Sequence, residues 1–290
     1  MHDLLYQQLA NGVMTGAAYA VAAVGLTMVF GVLRSINFAH GEYYMVGAFS
    51  GWAGMTYLNL SYESAIVFTV AIGVLLGLLV SRAVMEPLID APFQRTVLAT
   101  LGVYLVLQNS VFLTFGGGYR TFEGGWTRIV EVFGVQGILQ RFVLLAVMVA
   151  VFAGLEIGLR RTRLGRSIRA VAQSREACEV AGIDVVKVSR VTFCLSVVLA
   201  ALAGVLMAPI LVTIYPAMGE GVTFRAFAVT VIAGLGNVHG VIYSSLLLGI
   251  TEALVTGYLG GQYREAVGFV ALIAVLMWRP WGVFTVRGRF

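Results

Sequence analysis

Four long stretches without a charged residue decide what this chain can fold into. They are Leu4–Leu33, Thr96–Tyr119, Val191–Gly219 and Ala226–Thr251, in a sequence of 290 residues. Each can cross a bilayer, because a helical span needs about 20 mostly apolar residues. Only helices and closed barrels satisfy the backbone inside lipid, and barrel strands would be about ten residues long and alternating. The stretches therefore predict an all-α membrane protein.

Further apolar segments, separated by polar or Gly-rich connections, extend this prediction to the whole chain. We place helices at about 9–33, 37–60, 64–84, 96–115, 142–159, 191–215, 238–259 and 265–278. The segment Phe224–Gly236 is too short for an easy span and is interpreted as a half-helix. The Gly-rich stretch 116–140 has room for a small surface hairpin or lid. The prediction is a polytopic bundle of about eight transmembrane helices plus one short broken or re-entrant helix, forming a single domain over residues 1–290.

A basic segment interrupts this apolar sequence. Eight of the 19 Lys and Arg residues lie between Arg160 and Arg190. Lys and Arg collect in cytoplasmic loops, so residues 160–190 are predicted to be cytoplasmic, with the N-terminus outside. The C-terminal tail, with Arg279, Arg287 and Arg289, is then predicted to be cytoplasmic. The segment is too large for a simple turn and indicates a docking surface. The net charge of +5 is explained by basic residues in the loops between spans, so it does not indicate a nucleic-acid partner.

The sequence shows no recognisable catalytic motif. Lys187 is the single lysine, and no GxxxxGK[ST] motif is present to hold nucleotide phosphates. No group of His, Cys, Asp and Glu has metal-ligand spacing, and no nucleophile has an adjacent base. Cys178 and Cys194 imply no disulfide framework. An enzyme is therefore not expected, and active transport would take its energy from a partner or an ion gradient.

Polar residues inside predicted spans are the candidates for a substrate pathway, because charges at mid-bilayer are costly and usually functional. They are Asn37, His40, Glu42 and Glu252. Simpler roles stay open for two of them: Asn37 can cap a helix, and Glu252 can make a hydrogen bond between packed helices. For Glu156 the favoured interpretation is an ion pair with Arg160, four residues on.

Several blocks of the sequence resemble one family of transport proteins. GLTMVFGVLRSINFAHGEYYMVGAF (Gly25–Phe49) resembles the first block of branched-chain amino acid ABC permeases, the LivH type within the LivH/LivM family. RAVAQSREACEVAGID (Arg169–Asp184) resembles the cytoplasmic block of that family. AGLGNVHGVIYSSLLLGITEAL and VLMWRPWGVF resemble its C-terminal blocks. The likeness runs nearly end to end and in order.

The cytoplasmic block also resembles the EAA loop through which importer permeases contact their ATPases. Glu176, Ala177 and Gly182 match its spacing, and Cys178 stands where the pattern has a second alanine. The resemblance implies that these three matching residues form the coupling contact and that Arg169 and Asp184 support it. Gly182 is expected to allow a tight turn that a side chain would block.

The family resemblance also implies partners. They are a second, LivM-like permease, two ABC ATPase subunits that bind ATP and magnesium, and an extracytoplasmic substrate-binding protein. This chain is expected to bind no cofactor or metal and to contact membrane lipid. The expected location is the bacterial inner membrane, with the chain crossing it several times.

Three functional alternatives remain open from the sequence. The leading one is an importer of branched-chain or other hydrophobic amino acids. The same machine with urea, short amides or aromatic acids as cargo is the second, because the binding protein does much of the selection. A self-sufficient secondary transporter or channel is the third, and the scarcity of intramembrane acidic residues argues against it.

Overall fold

The computed structural model describes residues 2–132 and 135–284, and within them the chain is mainly helical. Arg287 and Arg289 of the predicted cytoplasmic tail lie outside the described residues. The helices are α1 His2–Leu33, α2 His40–Leu58, α3 Tyr62–Val80, α4 Phe93–Phe115, α5 Leu139–Arg161, α6 Arg163–Gln173, α7 Arg175–Val180, α8 Val185–Leu211, α9 Met218–Ala233, α10 Val238–Tyr258 and α11 Arg264–Trp278. The strands are β1 Arg120–Thr121, β2 Ile129–Val132, β3 Val135–Ile138 and β4 Thr213–Ile214. A π-helical turn, Ser81–Met85, extends α3.

Six of the described helices are long and apolar enough to cross a membrane: α1, α3 with its π-helical turn, α4, α5, α8 and α10. Helices α2, α9 and α11 fall outside that group, with 19, 16 and 15 residues. The membrane-protein prediction is confirmed in this coarser form. The count of eight spans stays a prediction, because it needs the shorter helices to cross as well.

Several predicted helix boundaries are wrong, and the predicted half-helix Phe224–Gly236 instead covers Met218–Ala233. The second helix begins at His40 rather than near Asn37, because Asn37 stands two positions before the N-cap residue Ala39. The sixth predicted helix, 191–215, instead covers Val185–Leu211. It ends two residues after Pro209, where the chain leaves the helix and residues 213–214 pair with residues 120–121 as a short antiparallel ribbon.

The Gly-rich connection between α4 and α5 contains the predicted hairpin. Strands β2 and β3 pair antiparallel, with Ile129 opposite Ile138 and Val132 opposite Val135. The two residues at its turn lie outside the described residues. Strand β2 is mostly exposed, whereas β3 contacts α1, where the amide of Gln7 donates a 2.9 Å hydrogen bond to the carbonyl oxygen of Gln136.

Helix α2 lies inside the bundle although its first turn is polar. Twelve of its 19 residues are buried. It packs against α8, and the hydroxyl of Thr69 on α3 donates a hydrogen bond of 3.5 Å to the carbonyl oxygen of Gly47. Because α2 faces protein rather than lipid, it does not need the hydropathy of an independent span.

The connection between α1 and α2 turns back into the bundle. A ring N–H of His40 donates a 2.7 Å hydrogen bond to the carbonyl oxygen of Ala22, which lies three turns, or about 16 Å, before the end of α1. On the way, the backbone N–H of Phe38 donates to the hydroxyl of Thr100 on α4. Helix α2 therefore begins well inside the bundle, as a broken helix.

Candidate transport site

The basic segment folds into two helices that form a platform at one end of the bundle. Helix α6 begins at the N-cap Thr162, whose hydroxyl accepts a hydrogen bond from the N–H of Gly165. Helix α7 begins at the N-cap Ser174, whose hydroxyl accepts from the N–H of Ala177. The apolar side of the platform is buried against the ends of the α1 and α8 helices; its members are Ile168, Val171 and Cys178 on the platform and Val32, Val185 and Val188 beneath it.

The predicted coupling residues lie on the platform and in the turn that joins it to α8. Arg169, Glu176, Ala177, Gly182 and Asp184 are all exposed. Asp184 also caps α8, because its carboxylate accepts a 2.9 Å hydrogen bond from the N–H of Lys187. Gly182 has φ +75°, and a β-carbon there would meet no atom within 4 Å. The predicted tight turn at Gly182 is confirmed, and the left-handed backbone, rather than a lack of space, is what disfavours a side chain there.

Arginines tie the platform to other helices. Arg175 donates to the carboxylate of Asp90 and to the carbonyl oxygen of Ile89, both at 2.6 Å, and pairs with Glu179 at 2.9 Å. Arg34, just after α1, donates to the carbonyl oxygen of Gln173. A cavity of about 440 Å³ lies between these elements. The platform therefore contacts α1, the α3–α4 connection and α8 at once.

A bidentate ion pair sits beside the platform. Arg190 on α8 donates to both carboxylate oxygens of Glu86, at 2.6 and 2.8 Å. These hydrogen bonds hold the pKa of Glu86 below its ordinary value. Since Glu86 follows the π-helical turn of α3, the pair fixes the end of α3 to the start of α8.

His40 and Glu42, two of the predicted pathway residues, are fully buried at the start of α2. Both have a relative exposure of 0%. Within the described residues, neither carboxylate oxygen of Glu42 has a hydrogen-bond partner. Asn37 accepts a 3.1 Å hydrogen bond from the N–H of Ala39, so it shapes the turn before α2 rather than capping the helix.

The start of α2 crosses the start of α9 through two glycines. A β-carbon at Gly41 would overlap the carbonyl oxygen of Gly219, and a β-carbon at Gly219 would lie 2.6 Å from Oε1 of Glu42. The N–H of Gly41 donates a 3.0 Å hydrogen bond to the hydroxyl of Thr223. Only glycine allows this approach, which brings Glu42 against the first turn of α9, where the helix dipole favours negative charge.

A second carboxylate, Glu220, lies in the first turn of α9 and is exposed. Its Oε1 accepts hydrogen bonds from the hydroxyl of Tyr104 at 2.8 Å and from the amide of Gln108 at 3.0 Å. Tyr104 is the middle residue of the 23-residue helix α4. Glu220 therefore lies level with the middle of α4, a helix long and apolar enough to cross a membrane. At such a level a carboxylate is expected to face water or another protein chain rather than lipid.

Glu252 has a different environment from Glu42. Its carboxylate accepts from the hydroxyl of Tyr19 at 2.6 Å and from Arg264 at 3.1 Å. Arg225 on α9 approaches the other oxygen at 3.7 Å. These contacts join α1, α9, α10 and α11 in one ionic network around the buried carboxylate of Glu252.

Comparisons with known proteins give the chain a family. Residues 8–276 match the family described as "Branched-chain amino acid transport system / permease component". The chain belongs to this family. The permease is also 32% identical to the high-affinity branched-chain amino acid transport system permease protein LivH of Salmonella typhimurium, over 96% of this chain and 94% of LivH.

Two more distant likenesses extend the comparison. The permease is 27% identical to the ribose import permease protein RbsC of Escherichia coli K12, over 93% of this chain and 84% of RbsC. Its fold resembles a chain of PsaBC from Streptococcus pneumoniae in complex with Fab, with a TM-score of 0.51 and 13% identity over 93% of this chain and 91% of that one. The protein is thus a permease subunit of an ABC importer and a multi-pass protein of the inner membrane.

The structure separates the predicted pathway residues into two groups. Asn37, His40 and Glu42 lie together, whereas Glu252 belongs to the separate ionic network. Sequence reasoning missed Glu220 and its partners on α4. The sequence shows a charge between the apolar runs that end at Gly219 and resume at Ala226, but Glu220 fell in the connection before the predicted half-helix and received no role.

Proposed function

We propose that this permease carries branched-chain amino acids across the membrane as one half of a heterodimer with a second, LivM-like permease. Two ATPase subunits bind and hydrolyse ATP, and an extracytoplasmic binding protein delivers the cargo. The observation that carries the proposal is the family match over residues 8–276, together with 32% identity to a protein named for branched-chain amino acid transport. This chain supplies the passage and the docking surface, and binds no nucleotide itself.

The proposed orientation puts the N-terminus outside and the C-terminus in the cytoplasm. The α6–α7 platform, rich in arginine, then lies inside, in agreement with the positive-inside rule. The β2–β3 hairpin lies outside, available to the binding protein. In this orientation α2, α9 and α11 complete the bundle, with α2 and α9 as the broken helices.

Coupling is proposed to run through the platform. Glu176, Ala177 and Gly182 contact an ATPase subunit, and their exposure supports this role. Val180 next to them is 92% exposed, an apolar group suited to burial by a partner. Because the platform is packed on α1 and α8 and bonded to the α3–α4 connection, closure of the ATPases would move these helices together.

The cargo passage is proposed to follow the exposed side of α9, past Glu220. The support is physical: an exposed carboxylate at mid-membrane depth needs an aqueous or protein neighbour. Asn37, His40 and Glu42 lie behind the α2–α9 crossing and shape this wall. Broken helices that meet inside the membrane are a common setting for transporter binding sites.

The test is uptake of radiolabelled leucine into vesicles that contain the permease, its partner permease, the ATPases and the binding protein. We expect uptake only when ATP is present on the ATPase side, with competition by isoleucine and valine. Uptake by this chain alone would contradict the importer mechanism.

The second candidate is the same importer with a different cargo. It is supported by the likeness to RbsC, a permease named for ribose rather than for an amino acid. ATPase activity that is stimulated by the loaded binding protein, without leucine uptake, would support the ABC importer. It would indicate urea, short amides or aromatic acids as the cargo.

A further inference from the structure

The exposed side of α9 combines an acidic and an apolar group one helical turn apart. Glu220 is exposed, and Phe224, four residues on, is 55% exposed. Residues four apart lie on the same face of a helix. The ring of Phe224 packs on Phe269 of α11, with ring centroids 5.9 Å apart, which leaves its other face open.

The carboxylate of Glu220 is held in one place by neutral donors. Tyr104 and Gln108 both donate to its Oε1, and within the described residues its Oε2 accepts no hydrogen bond. Neutral donors fix the direction of the carboxylate without cancelling its charge. An oriented and uncancelled carboxylate at mid-membrane is suited to a cationic group with several N–H donors.

The buried Glu42 adds a second carboxylate behind the same wall. It is fully buried, and its Oε1 points at the Cα of Gly219, the neighbour of Glu220. Both oxygens lack a hydrogen-bond partner within the described residues. A carboxyl group buried without partners favours its neutral form, so the negative charge at the start of α9 belongs to Glu220.

We propose that Glu220 binds the α-ammonium group of the amino-acid cargo as it passes mid-membrane, while Phe224 contacts its apolar side chain. The inference rests on the proposed function. The passage then recognises a primary ammonium group that lies about one helical turn from a branched aliphatic group. Tyr104 and Gln108 act as positioning residues for the carboxylate.

The first test compares leucine uptake by reconstituted wild-type and Glu220→Gln complexes. The glutamine keeps an oxygen that accepts from Tyr104 and Gln108, so the substitution removes charge and preserves shape. We expect uptake to fall about tenfold or more, because a charge-assisted hydrogen bond to the ammonium becomes a neutral one. ATPase stimulation by the loaded binding protein should persist, and Glu123→Gln, an exposed acidic residue outside the site, should transport like wild type.

A second pair of variants separates recognition from folding. Glu220→Asp keeps the charge and should retain far more uptake than Glu220→Gln at equal amounts of assembled complex. Phe224→Ala should lower leucine uptake more than valine uptake, because the larger side chain loses more contact. Equal loss in the Asp and Gln variants, or an unchanged ratio of leucine to valine uptake in Phe224→Ala, would overturn the proposal.

The outcomes distinguish the inference from the proposed function. Wild-type complexes that hydrolyse ATP without taking up leucine would contradict the proposed cargo. Wild-type complexes that take up leucine, with Glu220→Gln complexes equal to them, would overturn the ammonium site alone.

Discussion

Gly182 shows at the scale of one residue how the coupling platform depends on backbone geometry. Its φ of +75° lies in the left-handed region, and the open space around it leaves room for a side chain. The constraint is therefore the sign of φ, which glycine adopts freely and asparagine tolerates. The turn joins α7 to the N-cap of α8, so a change there displaces the proposed coupling contact.

We expect Gly182→Asn to assemble with the ATPases like wild type and Gly182→Val to assemble poorly. A β-branched side chain in the left-handed region costs about 1–2 kcal/mol or more. Co-purification of the ATPases with each variant measures this. Equal assembly of the Val and Asn variants would show that the left-handed turn plays no part in docking.

Individual residues were predictable from the sequence when their partners are local. The ion pair of Glu156 with Arg160, four residues on, is confirmed, and Glu156 also accepts from His239 at 2.8 Å. Glu220 was not predictable as a site, because its partners on α4 lie more than 100 residues away in the chain. Only the folded bundle brings a mid-span tyrosine to that carboxylate.

Helices α2 and α9 show what element-scale patterns leave undetermined. Apolar segments predicted that both regions are helical, and both are. The sequence pattern did not reveal that their first turns meet, because that crossing depends on Gly41 and Gly219, which look like any other glycines in a chain with 35 of them.

We expect Gly41→Ala to destabilise the permease and to abolish most transport. Its methyl group would overlap the backbone of α9 at Gly219, and such overpacking costs about 1–3 kcal/mol. Gly154→Ala is the matched control, because a β-carbon there meets no atom within 4 Å and alanine favours the helix. Thermal unfolding in detergent and leucine uptake measure both effects; similar results for the two variants would contradict the crossing.

The Glu86–Arg190 pair makes the α3–α8 contact sensitive to pH. The pKa of Glu86 is lowered by Arg190, so the pair stabilises the fold fully above the ordinary carboxyl pKa. That contribution is lost as pH falls through the lowered pKa. We expect Glu86→Gln to lower the unfolding temperature near neutral pH and the difference from wild type to shrink in acid. A difference that is constant with pH would exclude this role.

At the scale of the whole molecule, the platform and the passage lie on different parts of one bundle. The α6–α7 platform is joined to α1, α8 and the α3–α4 connection. Helix α4 begins at that connection and carries Tyr104 and Gln108, which hold Glu220. We expect motion at the platform to reach the carboxylate of Glu220 through α4.

The most direct measurement labels a cysteine at position 220 with a membrane-impermeant thiol reagent. The chain has two cysteines, Cys178 and Cys194, so their replacement by alanine gives a simple background. Val106 supplies the control: it is 64% exposed, near the same depth of α4 and on the side opposite Tyr104. In the assembled transporter, we predict that Glu220→Cys is labelled, to an extent that changes when ATP is added, and that Val106→Cys is not. If position 220 is labelled neither with nor without ATP, that result would contradict a cargo passage along α9.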